Sequence, residues 1–338
     1  MNIGILSSYA MKCGIAEYSV KLYRAFEKMG HSVTLFGSFG GEAIRNDRKW
    51  LTSSPPAQVS AVECFYAPAW SISHTFDFGI LLAEMDHRNI EVMIVQYQNG
   101  IINDHQLKEF LELAEQKQVK VIVAFHDSCI GPAFPFHLVK HKAALSKRLQ
   151  ELIGGSIFIP EGVPDPPTES KEQLRHRYGL SGTIVSTFGL GRTDYGLISD
   201  VTQDLGFTFL VFDSTGSCLI NPPHLIRKTK WFPLPELISH LAVSDAIVLW
   251  YHEIDAYVSS GAVRHAIATG RPVIVNDVSW FADIPASVVT KVKTKEQLLA
   301  ALRQVLTQEE NSGQKRYIGD YSWTAIGKMY LDMITPQE

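Results

Sequence analysis

A chain of 338 residues, 46% hydrophobic and 20% charged, has the make-up of a folded protein of about two ordinary domains, not of a disordered or fibrous one. Its formal charge of −4 gives no electrostatic ground for a nucleic-acid partner, and no apolar run approaches the length of a membrane span. Cys13, Cys64, Cys129 and Cys218 lie far apart with no CxxC pair, which argues against a zinc site or disulfide framework and fits a reducing compartment.

The opening MNIGILSS reads as a strand, not as a basic and apolar leader with a cleavage site, so a cytoplasmic location is expected. A helix follows from about Glu17 to Met29, with Tyr18, Leu22, Ala25 and Phe26 on one face. Gly30 stops it and HSVTLFG supplies the next strand, a strand–helix–strand unit of the kind that opens a parallel sheet. AVECFYAP, VMIVQYQ (92–98) and VKVIVAFHD (119–127) are further strand candidates, the last two joined by the amphipathic HQLKEFLELAEQKQ. HKAALSK around His141, the lone His240 and the basic RKTK (227–230) read most simply as surface or loop residues. The aromatic residues Phe65, Tyr66, Trp70 and FPFH (134–137) read as core packing, with an acceptor groove or peripheral membrane contact as the alternative.

Prolines gather in SIFIPEGVPDPPTESKEQ and mark a boundary, after which strand and helix alternate again. GTIVSTFGLG, FTFLVFDSTG, AIVLWY and PVIVND are strands with their exits; PELISHLAVS, SSGAVRHAIAT and KEQLLAALRQVL are helices. YSWTAIGKMYLDMI has helical spacing, with Ser322 at the N-cap position. The expected organisation is an N-terminal Rossmann-like domain at 1–154, a C-terminal one at 155–320 and a closing helix at 321–338.

Four segments carry chemistry. At 259–262, Ser259, Ser260, Gly261 and Ala262 open a helix, whose unpaired N–H groups and partial positive charge suit a phosphate. The plainer alternative is that a serine caps its own helix. Gly270 and Pro272 account for that helix's abrupt end, and Arg264, one turn in, is placed to reach an anion at its mouth or to face solvent. In TFGLGRTDYGL (187–197), glycines after a strand let a ligand approach, and Arg192 is suited to pair with two phosphate oxygens. KCGIAEYS (12–19) is a small-residue turn entering the first helix. In VIVAFHDS, His126 and Asp127 sit where a buried strand runs out, as a sugar ligand or as a satisfied core histidine beside a capping aspartate. Glu253 is the carboxylate nearest the Ser-Ser-Gly helix.

These segments in this order resemble the family 4 glycosyltransferases, two-domain enzymes of the GT-B fold. CGIAEYS is similar to their glycine-rich first loop, VQYQNGI and FHD to their strand ends, and IPEGVPD to their IPHGV element. FGLGRTDYGL resembles their phosphate loop, and SSGAVRHAIATGRPVIV the helix and strand usually written EAMACGKPVI. The resemblance implies two Rossmann-like α/β domains facing across a cleft, the last helix crossing back to the first. It implies transfer of a hexose from a UDP- or GDP-sugar to an unidentified acceptor hydroxyl, with retention and without a metal or other cofactor. Arg192, the amides at Ser260–Ala262 and the Gly14–Ile15 loop would hold the donor diphosphate, with Ser259, Tyr195 and Arg264 beside them on the donor side. His126 would touch the donor sugar and the backbone around Phe232 the base. Tyr18, Gln96 and Asp127 would lie on the acceptor side.

The pattern also departs from the family. Tyr195 stands where the phosphate loop has lysine, and Tyr257 and His265 where it has paired glutamates. Arg264 is expected to supply the missing charge and Glu253 the missing sugar-binding carboxylate. A catalytically silent sugar-nucleotide-binding or scaffold protein on the same fold is the alternative.

Overall fold

The computed structural model describes residues 1–8, 14–38, 66–70, 78–189, 191–253, 257–305 and 312–335. The chain forms two compact units, Met1–Glu161 with Trp323–Glu338, and Gly162–Ser322. The divisions expected from sequence fell at 154/155 and 320/321.

In the first unit the elements run β1 (Asn2–Leu6), α1 (Gly14–Lys28), β2 (Ser32–Ser38), β3 (Tyr66–Trp70), α2 (Phe78–His87), β4 (Val92–Tyr97), α3 (Asp104–Gln116), β5 (Lys120–Phe125), β6 (His141–Ala144), α4 (Lys147–Leu152) and β7 (Ile157–Phe158). All strands pair in parallel, in the order β3-β2-β1-β4-β5-β6-β7. Winding outward from β1 and then crossing to β4 leaves a switch point between those two strands, where their carboxyl ends open a crevice. Every residue of β4 is buried, because helices cover both faces of such a sheet. Helix α1 starts earlier than its sequence suggested: Ile15 and Ala16 extend its buried stripe, so Gly14 and Ile15 form its first turn, not a loop.

The second unit continues with α5 (Lys171–Tyr178), β8 (Ile184–Phe188), α6 (Tyr195–Asp204), β9 (Thr208–Phe212), β10 (Leu225–Lys228), α7 (Leu234–Leu241), β11 (Ala246–Leu249), α8 (Gly261–Ala268), β12 (Val273–Asn276), β13 (Thr290–Val292), α9 (Lys295–Val305) and α10 (Ser312–Asp320). Its sheet is again parallel, in the order β10-β9-β8-β11-β12-β13, with the switch point between β8 and β11. Alternate residues serve opposite faces: Ile247 and Leu249 of β11 join one core, Ala246 and Val248 the other.

The last helix, α11 (Trp323–Asp332), packs on α1 of the first unit. Gly327 permits the close approach, since a Cβ there would lie 3.4 Å from both Met29 and Phe26. The hydroxyls of Tyr18 and Tyr330 meet at 2.9 Å inside this packing.

Several plain readings give way. Residues 141–144 are strand β6, with Ala143 and Ala144 buried, and Arg227 and Lys228 belong to β10 instead of a loop. His240 is stacked 4.0 Å from Tyr178 and packs on Phe232, so it is a core-side ring, not a surface one. Phe134 is buried against Tyr97 and Phe125, while Phe136 is 43% exposed. Phe65, Cys13 and Cys64 lie outside the described residues; Cys129 and Cys218 are free thiols. Among the described residues no helix is long and apolar enough to cross a membrane.

Candidate functional site

At the switch point of the second unit, β8 leads into Gly189–Asp194 and β11 into Trp250–Ser260. The two exits are tied together. Thr193 and Tyr251 form an antiparallel bridge, His252 donates its N–H to the Arg192 carbonyl at 3.1 Å, and Asp194 donates to Trp250 at 2.9 Å. Asn276, ending β12, clamps Tyr251 from both sides: its Oδ1 accepts the Tyr251 N–H at 2.9 Å and its Nδ2 donates to the Tyr251 carbonyl at 2.7 Å. Gly191 has φ +72°, the left-handed conformation that glycine adopts without strain, so the chain turns here to expose Arg192.

Arg192 lies over the Trp280 ring, its guanidinium carbon 4.1 Å from the centroid. Among the described residues its side chain makes no ion pair and no hydrogen bond, whereas Arg175 in the same unit is fixed to Asp245 at 2.7 Å. Helix α8 begins at Gly261 with Ser260 at the N-cap position, yet no side chain caps it. The Ser260 hydroxyl is in contact with the Tyr251 hydroxyl, and Ser259 Oγ accepts from Arg264 instead. The capping alternative is therefore set aside: among the described residues nothing takes the N–H groups of Gly261, Ala262 and Val263, which suit a ligand or water.

Other expected donor residues sit differently. Arg264 is fully buried at 0% exposure; its Nη1 donates to Ser259 Oγ at 3.0 Å and to the Ser260 carbonyl at 3.1 Å. It braces the Ser259–Ser260 turn from the buried side, because its place on α8 faces the core with Ile267 and Ala268, and it presents no exposed guanidinium. Tyr195 is buried in the first turn of α6, its hydroxyl 3.3 Å from Ser217 Oγ, in a loop organised by the fully buried Asp213. Glu253 does not present a free carboxylate: it accepts Ser279 Oγ at 2.7 Å and the Ser279 N–H at 3.3 Å. Phe232 packs its ring against Phe212 and His240, while its peptide N–H and C=O make no protein hydrogen bond among the described residues. His265 lies over Phe188, the rings 6.4 Å apart and 16° from parallel. Trp280 escaped the sequence reading, although a tryptophan just beyond a buried strand's carboxyl end was the available signal.

In the first unit, Gln96 and His126 meet at the ends of neighbouring strands, Oε1 to Nε2 at 2.5 Å. An amide oxygen only accepts, so Nε2 carries the proton and Nδ1 is left as an acceptor. Gln96 is buried, and its Nε2 has no partner among the described residues. Asp127 takes the Cys129 N–H at 3.0 Å in an Asx turn and Gln98 Nε2 at 3.3 Å; it caps no helix. Tyr18 is 2% exposed, edge-on to both His126 and Trp323, and offers no surface to an acceptor.

Burial pulls the His126 imidazole down to about 4, against the opposing charges of Glu161 and Asp127. The unfolded chain, with the ordinary value of 6.5, binds this proton first as pH falls. The stabilisation from a neutral His126 is thus complete above about pH 6.5 and is lost as pH falls towards 4. Urea unfolding of His126→Gln at pH 7 and pH 4.5 should accordingly show a smaller loss between the two than the unsubstituted protein. An equal loss would place the imidazole in solvent.

Two doubly wound α/β units with the final helix packed on the first constitute the GT-B fold. Sucrose-phosphate synthase from Thermosynechococcus elongatus matches with TM-score 0.68 at 13% identity, over 99% of this chain and 98% of that one. HepE from Anabaena, in complex with UDP-glucose, matches with TM-score 0.64 at 11% identity, over 99% of each chain. An α-glucosyltransferase bound to UDP and a 13-mer DNA matches with TM-score 0.64 at 11% identity, over 99% of this chain and 100% of that one. Identities this low establish the fold alone. No family model and no curated protein sequence matches the chain.

Proposed function

We propose that the protein is a retaining glycosyltransferase that moves a hexose from a UDP- or GDP-sugar to an acceptor hydroxyl without a metal ion. One observation carries the reading: at the switch point of the second unit, an arginine without an anionic partner among the described residues and a helix N-terminus without a side-chain cap are braced by the same residues. A diphosphate satisfies both. The fold neighbours HepE and the α-glucosyltransferase, which hold UDP-glucose and UDP, support that ligand class.

Cleavage of the sugar–phosphate bond places negative charge on the departing diphosphate, and donors already aimed at it stabilise the transition state more than the ground state. Arg192 supplies full charge, and the amides of Gly261 and Ala262 supply oriented dipoles, the work a divalent cation would otherwise do. For retention, the acceptor hydroxyl attacks from the face the diphosphate leaves, passing its proton to the departing phosphate oxygen. The peptide groups of Phe232, unbonded among the described residues, suit the edge of a nucleobase.

A second reading, a nucleotide-sugar-binding protein without turnover, is favoured by the engagement of Glu253 with Ser279 and the burial of Arg264. Both residues expected to compensate for the missing family charges are thus occupied.

A thermal-shift panel of UDP, GDP and their hexose conjugates, followed by assay of sugar release, tests the proposal. One nucleoside diphosphate at a hundredfold excess over its Kd should add about 2.7 kcal/mol of stability. Its hexose conjugate should be slowly hydrolysed even without acceptor. Binding without release of sugar under any acceptor selects the second reading, and no shift with any nucleotide overturns both.

A further inference from the structure

Both anion-binding elements of the second unit converge on Trp280. Its indole lies beneath the Arg192 guanidinium at 4.1 Å, and its carbonyl oxygen accepts the Ser260 N–H at 3.0 Å, immediately before α8. Tyr251, edge-on to the indole at 6.2 Å, reaches Ser260 through its hydroxyl. Glu253 anchors the same turn through Ser279. We infer that Trp280 is a positioning residue for the diphosphate: it fixes where the Arg192 guanidinium sits relative to the first amides of α8. The inference rests on the nucleotide-sugar reading and adds to it the residue that sets the site's geometry.

Packing alone does not call for tryptophan at this position. Trp280 is 2% exposed, and its Nε1–H has no partner among the described residues. A buried donor left unpaired lowers stability, and phenylalanine would fill most of the space without that cost. What indole adds is the most favourable aromatic face for a cation. A guanidinium held over such a face commits none of its N–H groups to another acceptor, so they remain for two phosphate oxygens at once. Arg192 held this way also has less side-chain freedom to lose when the ligand arrives.

Calorimetric titration with UDP and GDP tests the role, using the unsubstituted protein, Trp280→Phe, Trp280→Leu, Arg192→Ala and the Arg192→Ala/Trp280→Leu double variant. Thermal midpoints are measured without ligand. Trp280→Phe should weaken binding about threefold while its midpoint stays level or rises, a combination that a merely structural role would not give. Trp280→Leu should weaken binding about tenfold, but less than about twofold once Arg192 is alanine, because its effect runs through the guanidinium.

Equal losses in both backgrounds, or affinity that simply follows the thermal midpoint, would overturn the role while leaving the nucleotide-sugar reading intact. Should Trp280→Leu fail to fold, the phenylalanine variant decides, and unchanged affinity there counts against the role. Absence of binding by the unsubstituted protein removes both proposals together.

Discussion

Alanine at Arg192 is expected to slow donor-sugar release about a hundredfold, with most of the loss in kcat. The side chain has no ion pair or hydrogen bond among the described residues, so its removal breaks little that holds the fold. The exit loop keeps its shape without that side chain, through the backbone bonds from His252 to the Arg192 carbonyl and from Asp194 to Trp250 and the Asn276 clamp on Tyr251. What disappears is positive charge where the leaving diphosphate gains negative charge, and that interaction strengthens along the reaction. Arg192→Lys should recover only a small part, since an ammonium neither stacks on the Trp280 ring as a plane nor engages two oxygens in parallel. Nucleotide release from the hexose donor, followed in a coupled assay, gives both constants. Activity within about threefold of the starting enzyme would remove Arg192 from the reaction and with it the basis of the diphosphate site.

The sheet strands were legible because a strand buried on both faces is a continuous apolar run, and VMIVQY, AIVL and VIVN are such runs bounded by turn residues. Two short strands were not. HKAA in β6 and LIRK in β10 carry polar residues and are short, so their strand character comes from pairing with β5 and β9. Strand order, which sets both switch points, is a tertiary property that no local pattern records.

In the site, the strand exits were readable: Arg192 after a glycine-bearing turn and Ser260–Gly261 opening a helix lie where the sequence put them. Side-chain direction was read less well. Tyr18 stands four residues before Leu22 and eight before Phe26, on the apolar face that α11 covers, so its spacing already argued against an acceptor role. Arg264 stands three before Ile267 and four before Ala268, and its own helix turns it inward. Glu253 and Trp280 are different. Their partners, Ser279 and Arg192, come from loops distant in sequence, and nothing short of the fold brings them together.

Arg264→Ala is expected to destabilise the protein by about 3 kcal/mol, and Arg264→Met by about 1 kcal/mol or less. The buried guanidinium uses Nη1 on Ser259 and Ser260, while Nε and Nη2 have no partner among the described residues. Beside it on α10, the Tyr317 hydroxyl is pushed up by burial, with the charge of Arg264 and its contact with that hydroxyl acting in the opposite direction. A buried cation this incompletely paired contributes little net stability, so an apolar side chain of similar length should replace most of what it does for packing. Alanine additionally leaves the volume of the stem empty, and that cavity makes the difference between the variants. Urea midpoints at neutral pH would show the ordering. Nucleotide affinity should fall only a few-fold in either variant, through a looser Ser259–Ser260 turn. A loss of affinity in Arg264→Met as large as in Arg192→Ala would show instead that the guanidinium turns outward to the diphosphate, and the bracing role would be wrong.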